Sequence, residues 1–467
     1  MFKLSGRARK ISVLLFWLLL WHSLSLAMHN SILLVGPIDT LKALKGLAAL
    51  PSFWAAVLTS VWHIMLGFLA AFLSGLITGT LACCLPFVGE LLAPAIQLMK
   101  SIPVASFIIL ALIWTGADKL SVFISFLVVY PVIHVNTVSG LGEASQTLLE
   151  MARVFRVPLW KKAVYIYLPA VFPYLLSACR TALGMAFKSG IAAEVIGVPD
   201  GSIGEGLYLS KIYLSTAELF AWTLTIIAVS LLSEKLFLLL LRAAARMRRM
   251  LSAHMPERTE TKTDPKTAPG TSADTDIILK DISKWFGQEK ILEHFNFIFR
   301  AGSAYCLMAP SGTGKTTLLN LLMGLELPDS GTVLGLEGKK ISAVFQEDRL
   351  LEDCTILENI RFAIGRRLTV PEITQEVLRL LPKEALTKPV CEFSGGMKRR
   401  AALLRALLTP ADLFLMDEPF TGLDREARLA AASLIKEYSR GKLLIVSTHA
   451  PDDARLLDAE IVTLNLT

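Results

Sequence analysis

Charge and sulfur are both scarce in this chain. Lys, Arg, Asp and Glu make up 19% of its 467 residues, below the roughly 25% of ordinary soluble domains. An average soluble enzyme is therefore excluded as a description of the whole chain. Six cysteines, Cys83, Cys84, Cys179, Cys306, Cys354 and Cys391, show no Cys-x-x-Cys spacing and no nearby histidine that would complete a metal set. They read as small buried hydrophobes in a reducing compartment, with neither disulfide nor zinc expected.

What is abundant is apolar surface: 53% of residues are hydrophobic, and they are unevenly spread. Segments near residues 11–28, 54–83, 88–114, 119–139, 171–193 and 216–241 approach or exceed the roughly 20 apolar residues that span a bilayer as a helix. Six spans are expected. The basic residues between them set the orientation, because short loops rich in Lys and Arg stay cytoplasmic. Lys3, Arg7, Arg9 and Lys10 precede the first span, Arg153, Arg156, Lys161 and Lys162 separate the fourth from the fifth, and Arg242, Arg246, Arg248 and Arg249 follow the last. An even number of spans puts all three clusters on one side. The net charge of +7 is then a record of topology, and no nucleic-acid partner is expected. A cleaved signal peptide is the alternative for the N-terminus, with Ser-Leu-Ala at 25–27, but its removal would leave five spans and break the parity.

From Ser252 to Thr275 large apolar residues almost vanish, and such a stretch cannot bury enough surface to offset its ordering entropy. It reads as a flexible linker (252–275) between a transmembrane domain (1–251) and an α/β domain (276–467). In the latter, strand-like runs occur at 276–280, 295–299 and 304–308, and buried parallel strands at 413–416 and 443–446. A helix is expected at 317–323 and a helical insertion between Gln346 and Ser394.

The segment 309–317 reads Ala-Pro-Ser-Gly-Thr-Gly-Lys-Thr-Thr, a glycine-rich loop between a strand and a helix. Backbone N–H groups of Ser311, Gly312, Thr313, Gly314 and Thr317 would surround phosphates, Lys315 would neutralise them, and the Thr316 hydroxyl would take a Mg²⁺ position. Ala309 stands where the pattern asks for Gly, which is tolerable if its φ is negative. The strand at 413–416 ends in Asp417 and Glu418, suited to a Mg²⁺-side ligand and to a base that orients an attacking water. Ser394, Gly395 and Gly396 open a helix, a second anion-binding terminus.

Taken in order, these motifs resemble the ATP-binding cassette family. Phe393-Ser394-Gly395-Gly396-Met397 is similar to its Leu-Ser-Gly-Gly-Gln signature. The resemblance implies that Gln346 is the lid glutamine that touches Mg²⁺ and senses the membrane domain. It likewise makes His449 the switch histidine on the γ-phosphate, Asp424 part of the cross-dimer loop, and Phe286, with Trp285 as rival, the adenine-stacking aromatic. It implies ATP and Mg²⁺ as cofactors and a homodimer with two composite sites, each completed by Ser394 to Gly396 of the other chain.

The loop Glu150-Met151-Ala152-Arg153-Val154-Phe155-Arg156, with Ile166-Tyr167-Leu168-Pro169 after it, resembles the Glu-Ala-Ala loop of binding-protein-dependent importer permeases, with Arg156 where a Gly is usual. In that family the loop docks on the cassette near the lid glutamine. Stretches 97–103 and 179–188, with Glu194 after them, resemble the permease subgroup for nitrate, sulfonates, taurine and vitamin precursors. Expected, then, is an importer in the cytoplasmic membrane, with N-terminus and ATPase in the cytoplasm and a separate extracytoplasmic binding protein delivering a small solute. Among ionisable groups within spans, Arg180 and Glu194 match subgroup positions, and Lys188 either meets an anionic cargo, snorkels or is structurally paired. An exporter of the same superfamily and a non-transporting nucleotide sensor are the competing readings.

Overall fold

The computed structural model describes residues 6–28, 30, 32–254, 275–287, 289–310, 313–365 and 367–463. The linker from 255 to 274 lies outside them, as do Lys3, Ser311, Gly312 and the side chains of Arg7, Lys10, Arg246, Arg248 and Arg249. The chain divides into two compact units. One takes Met1–Ala144 and Leu168–Met250, the other Ser145–Tyr167 and Leu251–Thr467.

The first unit is helical: α1 (Gly6–Met28), α2 (Pro37–Ala48), α3 (Pro51–Cys84), α4 (Pro86–Ser101) and α5 (Val104–Gly142). Prolines open α2, α3 and α4, where a missing N–H costs no helical bond. The chain then leaves for the other unit, where it forms α6 (Gln146–Val154), α7 (Leu159–Lys162) and a π turn at Ala163–Tyr167. It returns with α8 (Leu168–Gly197), α9 (Ile203–Ile212) and α10 (Thr216–His254).

Of the six expected spans, the third, 88–114, is not one continuous helix. Five helical stretches among the described residues, Ile11–Met28, Pro51–Cys84, Val104–Gly142, Leu159–Gly197 and Thr216–Ala245, are long and apolar enough to cross a membrane. The stretch 88–114 is broken because Pro103 forces Ile102 out of the helical region, to φ −67° and ψ 125°. Gly116, at φ 71° and ψ 172°, then breaks α5 into arms at 104–115 and 117–142. At 1.5 Å per residue, α4 and the first arm are about 24 and 18 Å long, each short of a ~30 Å hydrocarbon layer. The cysteines also differ from expectation. Only Cys179 and Cys306 are buried, whereas Cys83 and Cys84, at the end of α3, and Cys391, in a surface turn, are exposed.

In lipid, apolar burial does not drive helices together, so close backbone approach must. Gly67, Gly75 and Gly79 supply it along α3: a Cβ on Gly67 would stand 2.3 Å from the Val122 carbonyl oxygen of α5, and one on Gly79 2.8 Å from Thr137 Cβ. Phe68 and Phe237 meet edge to face with centroids 4.9 Å apart in the core. Trp62, Leu73, Ile113 and Leu232 point outward, as a lipid solvent permits.

The second unit contains β1 (Ile277–Phe286), β2 (Glu289–Phe299), β3 (Ala304–Met308), β4 (Ser330–Leu334), β5 (Ile341–Val344), β6 (Leu413–Asp417), β7 (Leu443–Ser447) and β8 (Glu460–Thr463). An antiparallel sheet runs β2-β1-β4 and a parallel one β5-β6-β7-β3-β8. Its helices are α11 (Lys315–Leu322), α12 (Ile356–Ile364), α13 (Val370–Val377), α14 (Gly395–Leu407), α15 (Arg425–Ser439) and α16 (Pro451–Leu457). Every residue of β6 and β7 is buried, the mark of strands covered on both faces. The insertion between Gln346 and Ser394 is helical, and capping boxes at Thr355/Glu358 and Thr369/Glu372 start α12 and α13.

Gly67→Ala is expected to lower the melting midpoint of the detergent-purified chain by several degrees, on the order of the 1–3 kcal/mol typical of overpacking. Gly46→Ala, whose Cβ meets nothing within 4 Å, should hold the midpoint or raise it slightly.

Candidate functional site

A cleft of about 260 Å³ opens where β3, β5, β6 and β7 end, lined by Phe286, Ile291, Thr313, Gly314, Lys315, Thr316, Thr317, Gln346, Asp417, Glu418, Ser447 and His449. The sequence separates these residues by up to 163 positions (449 − 286). Parallel register brings them together: Leu307 and Asp417 both pair with Ser447, and Val344 pairs with Met416.

The loop after β3 turns into α11 through Gly314, at φ 80°. A Cβ there would also lie 2.8 Å from Ile291 Cγ2, so glycine is required twice over. Ala309 does not take a positive φ, which removes the objection to alanine at that place. Lys315 Nζ donates to the carbonyl oxygens of Ala309 (2.5 Å) and Pro310 (2.9 Å). Burial pulls its ammonium below the ordinary lysine range, and the nearby carboxylates of Glu418 and Asp417 oppose that shift.

Thr316 Oγ1 donates to Asp417 Oδ2 at 2.7 Å. Glu418 sits at φ 48°, a conformation that costs a non-glycine residue about 1–3 kcal/mol and persists only where surroundings over-determine it. Three contacts do so here. Its N–H donates to Ser447 O at 3.0 Å, Oε1 lies 2.8 Å from His449 Nε2, and Oε2 accepts from Thr421 Oγ1 at 3.1 Å. A carboxylate held at both oxygens and facing a lysine is arranged to orient a water.

Phe286 lines the cleft and Trp285 does not. Ser394 to Gly396 and Asp424 also lie outside its lining. Ser394 caps α14, its Oγ accepting from Met397 N at 3.4 Å, and Asp424 caps α15, Oδ1 accepting from Ala427 N at 2.8 Å. A Cβ on Gly396 would stand 2.9 Å from Gly422 O, so the start of α14 packs closely against the turn before Asp424. Ile291 and Ser447 were not anticipated from sequence, since each enters through a strand partner rather than a local pattern. Cys306, on β3, is inert: burial pushes its thiol up to about 12.

The basic loop packs within this same unit. Arg349 Nη1 donates to Glu150 Oε2 at 2.8 Å, Arg156 Nη2 to Lys339 O at 2.9 Å, and Lys161 Nζ to Arg361 O at 3.0 Å, near the C-terminal end of α12. Arg156 is at φ 52°, a backbone that glycine adopts without cost, and its guanidinium bond to Lys339 offsets part of that strain.

In the membrane unit the three charged groups of α8 part company. Arg180 Nε lies 3.5 Å from Glu234 Oε1. Glu194 Oε2 accepts from Ser60 Oγ (2.6 Å) and Gly204 N (3.3 Å). Lys188 is exposed.

Glu418→Gln should cut steady ATP turnover by about 10²–10⁴-fold, the usual weight of a general base, while ATP binding persists; turnover and binding of a fluorescent ATP analogue are measured side by side. Ala309→Gly should change that binding by under about 1 kcal/mol, a backbone-entropy effect. Gly314→Ala should weaken it far more.

Comparison with known proteins places both units. Residues 292–421 match the model of the ABC transporter family, and residues 71–249 match that of the binding-protein-dependent transport system inner membrane component. A probable sulfate/thiosulfate import ATP-binding protein of Chlorella vulgaris is 34% identical over 204 residues, 40% of this chain and 86% of that protein. One of Mesostigma viride with the import function in its name is 33% identical, over 40% of this chain and 59% of its own length. A Nod factor export ATP-binding protein of Ralstonia nicotianae is 32% identical, over 42% of this chain and 66% of its own. The chain thus spans about three fifths to two thirds of these last two relatives. A bacterial ABC transporter cassette solved as a dimer is 28% identical, with a TM-score of 0.37 over 40% of this chain and 94% of that one. The chain belongs to the ABC transporter family, as a multi-pass membrane protein that joins a permease component to an ATP-binding cassette.

Proposed function

We propose that this chain imports a small solute as a homodimer, with a separate extracytoplasmic protein delivering the cargo and the cassettes in the cytoplasm. The observation that carries the reading is the seating of the loop 145–162 on the cassette through Glu150, Arg156 and Lys161. It joins a permease segment to the segment that follows Gln346. Relatives named for import and for export share about the same part of this chain, 40% and 42%, so direction rests on the membrane component and its loop.

In this reading Lys315 and the backbone N–H groups of the loop from Ser311 to Thr317 bind the phosphates, and Phe286 stacks on the base. Glu418, held by His449 and Thr421, orients the attacking water, and His449 senses the γ-phosphate. The donor set fits Mg²⁺: Thr316, Asp417 and Gln346 offer hard oxygens in one cleft. An Mg²⁺ ion held there would keep waters and phosphate oxygens as its remaining ligands. When bound, it would neutralise phosphate charge. That Ser394, Gly395, Gly396 and Asp424 stand off from their own chain's cleft supports their use in the partner's site. ATP then needs only to bind the closed dimer more tightly than the open one to drive alternating access.

The cargo class we favour is a sulfonate, nitrate, taurine or thiamine-precursor-like solute. An even number of crossings is retained if α4 and the arm 104–115 together make one passage and Gly116 turns the chain into the next. Native mass spectrometry of the chain extracted gently from its own membranes is the test. The expected mass is two chains plus one binding protein and a small ligand; a dimer that hydrolyses ATP with no such partner would favour export instead.

A further inference from the structure

The signature helix α14 does more than present its N-terminal glycines. Arg399, 7% exposed, donates to Phe345 O at 2.7 Å and to Gln346 O at 2.5 Å. Its Nε lies 3.2 Å from Asp348 Oδ1. Arg405, fully buried, donates to Arg349 O at 2.6 Å and to Asp348 O at 3.1 Å. Between them the two guanidinium groups take the carbonyls of residues 345, 346, 348 and 349. That segment starts at the cleft, with Gln346, and ends at the membrane loop, with the Arg349–Glu150 pair. Arg405 also lies 5.2 Å from the ring of Phe155, and Arg349 packs 4.2 Å from the ring of Phe345.

We propose that Arg399 and Arg405 are positioning residues that make the loop 145–162 follow the anion-binding end of α14, so that nucleotide held at Ser394 to Gly396 is reported to the permease segment of the same chain. This rests on the homodimer reading above. The physical warrant is asymmetry of cost. Each guanidinium is buried against two carbonyls with no water to replace them, and a buried cation stripped of its acceptors is among the more expensive defects a fold can carry. When α14 shifts or tilts, the segment 345–349 therefore travels with it rather than letting go. Arg349 hands that displacement to Glu150, and Phe155 rides on Arg405 directly. The alternative is that the arginines only staple the fold, and then they would act alike in every nucleotide state.

The test uses the full chain in lipid nanodiscs, nucleotide-free and trapped with MgATP and orthovanadate, with hydrogen exchange read in peptides covering 145–162. In the wild type, exchange in the loop is expected to differ about fivefold or more between the two states, the lower range of allosteric coupling. Arg399→Gln should keep basal hydrolysis and lose that difference, and Arg399→Lys should recover part of it. Arg349→Gln leaves α14 and its buried arginines untouched, cuts the last link, and should lose the same response. Arg399→Gln and Arg349→Gln chains that respond as fully as the wild type overturn the proposal while leaving the transporter reading intact. A wild-type loop that exchanges equally in both states overturns the proposal together with the coupled-dimer reading on which it rests.

Discussion

Hydrogen-bond register in the parallel sheet is the constraint on which the functional half of this protein depends. β3, β6 and β7 are bonded side by side, with Leu307 and Asp417 both opposite Ser447. The glycine-rich loop, the carboxylate that faces Thr316 and the backbone that leads to His449 must therefore end at one level. A slip of one residue in β6 would turn Asp417 to the other face of the sheet and remove Glu418 from the Ser447 carbonyl that holds its amide. Complete burial of β6 and β7 is what fixes the register, because any slip would also expose or displace their apolar side chains. The chemistry at the strand ends thus inherits its precision from Leu, Phe, Ile and Val residues that never touch a ligand.

Two solvents have shaped the two units in opposite ways. Around the cassette, water rewards burial, and large aliphatic side chains fill the space between sheet and helices. Along α3 and α5, lipid offers no such reward, and contact is made by subtraction, with Gly67, Gly75 and Gly79 removing side chains so that backbones touch. The segment Ser145–Tyr167 belongs to the first half by sequence and to the cassette by packing. Its composition agrees with that position: it is short, basic and amphipathic, with Met151 and Ala152 fully buried and Leu159 exposed.

What was legible in the sequence was local. The phosphate loop, the two carboxylates and the Ser-Gly-Gly helix start are each set by neighbours within a few residues, and their order along the chain gave the family. The long apolar runs are legible too, but the break within 88–114 is not, because hydropathy averages over Pro103, whose effect falls on its predecessor's backbone. The strands β4, β5 and β8 are about as short as β3, β6 and β7 but lack their continuous apolar runs. Ser447, Ile291, Arg399 and Arg405 escaped because each matters through a residue at least 20 positions away, as when Arg399 meets Phe345 across 54 positions. Arg156 was noted as a departure from the usual Gly, and its positive φ supplies the reason why Gly is usual.

That backbone at Arg156 has a consequence for how firmly the two functions of the chain are held together. The left-handed residue closes α6, with Val157 N donating to Ala152 O at 2.9 Å, and ordering a non-glycine residue there adds about 1–3 kcal/mol to what the seated loop must offset. A cassette diffusing as a separate protein would have to outbid that penalty from dilute solution. Here permease and cassette are one polypeptide, and a tethered partner is present at a local concentration in the millimolar range. Covalent fusion can thus tolerate a docking contact loose enough to release and re-engage, a freedom that a two-chain assembly would have to trade against falling apart.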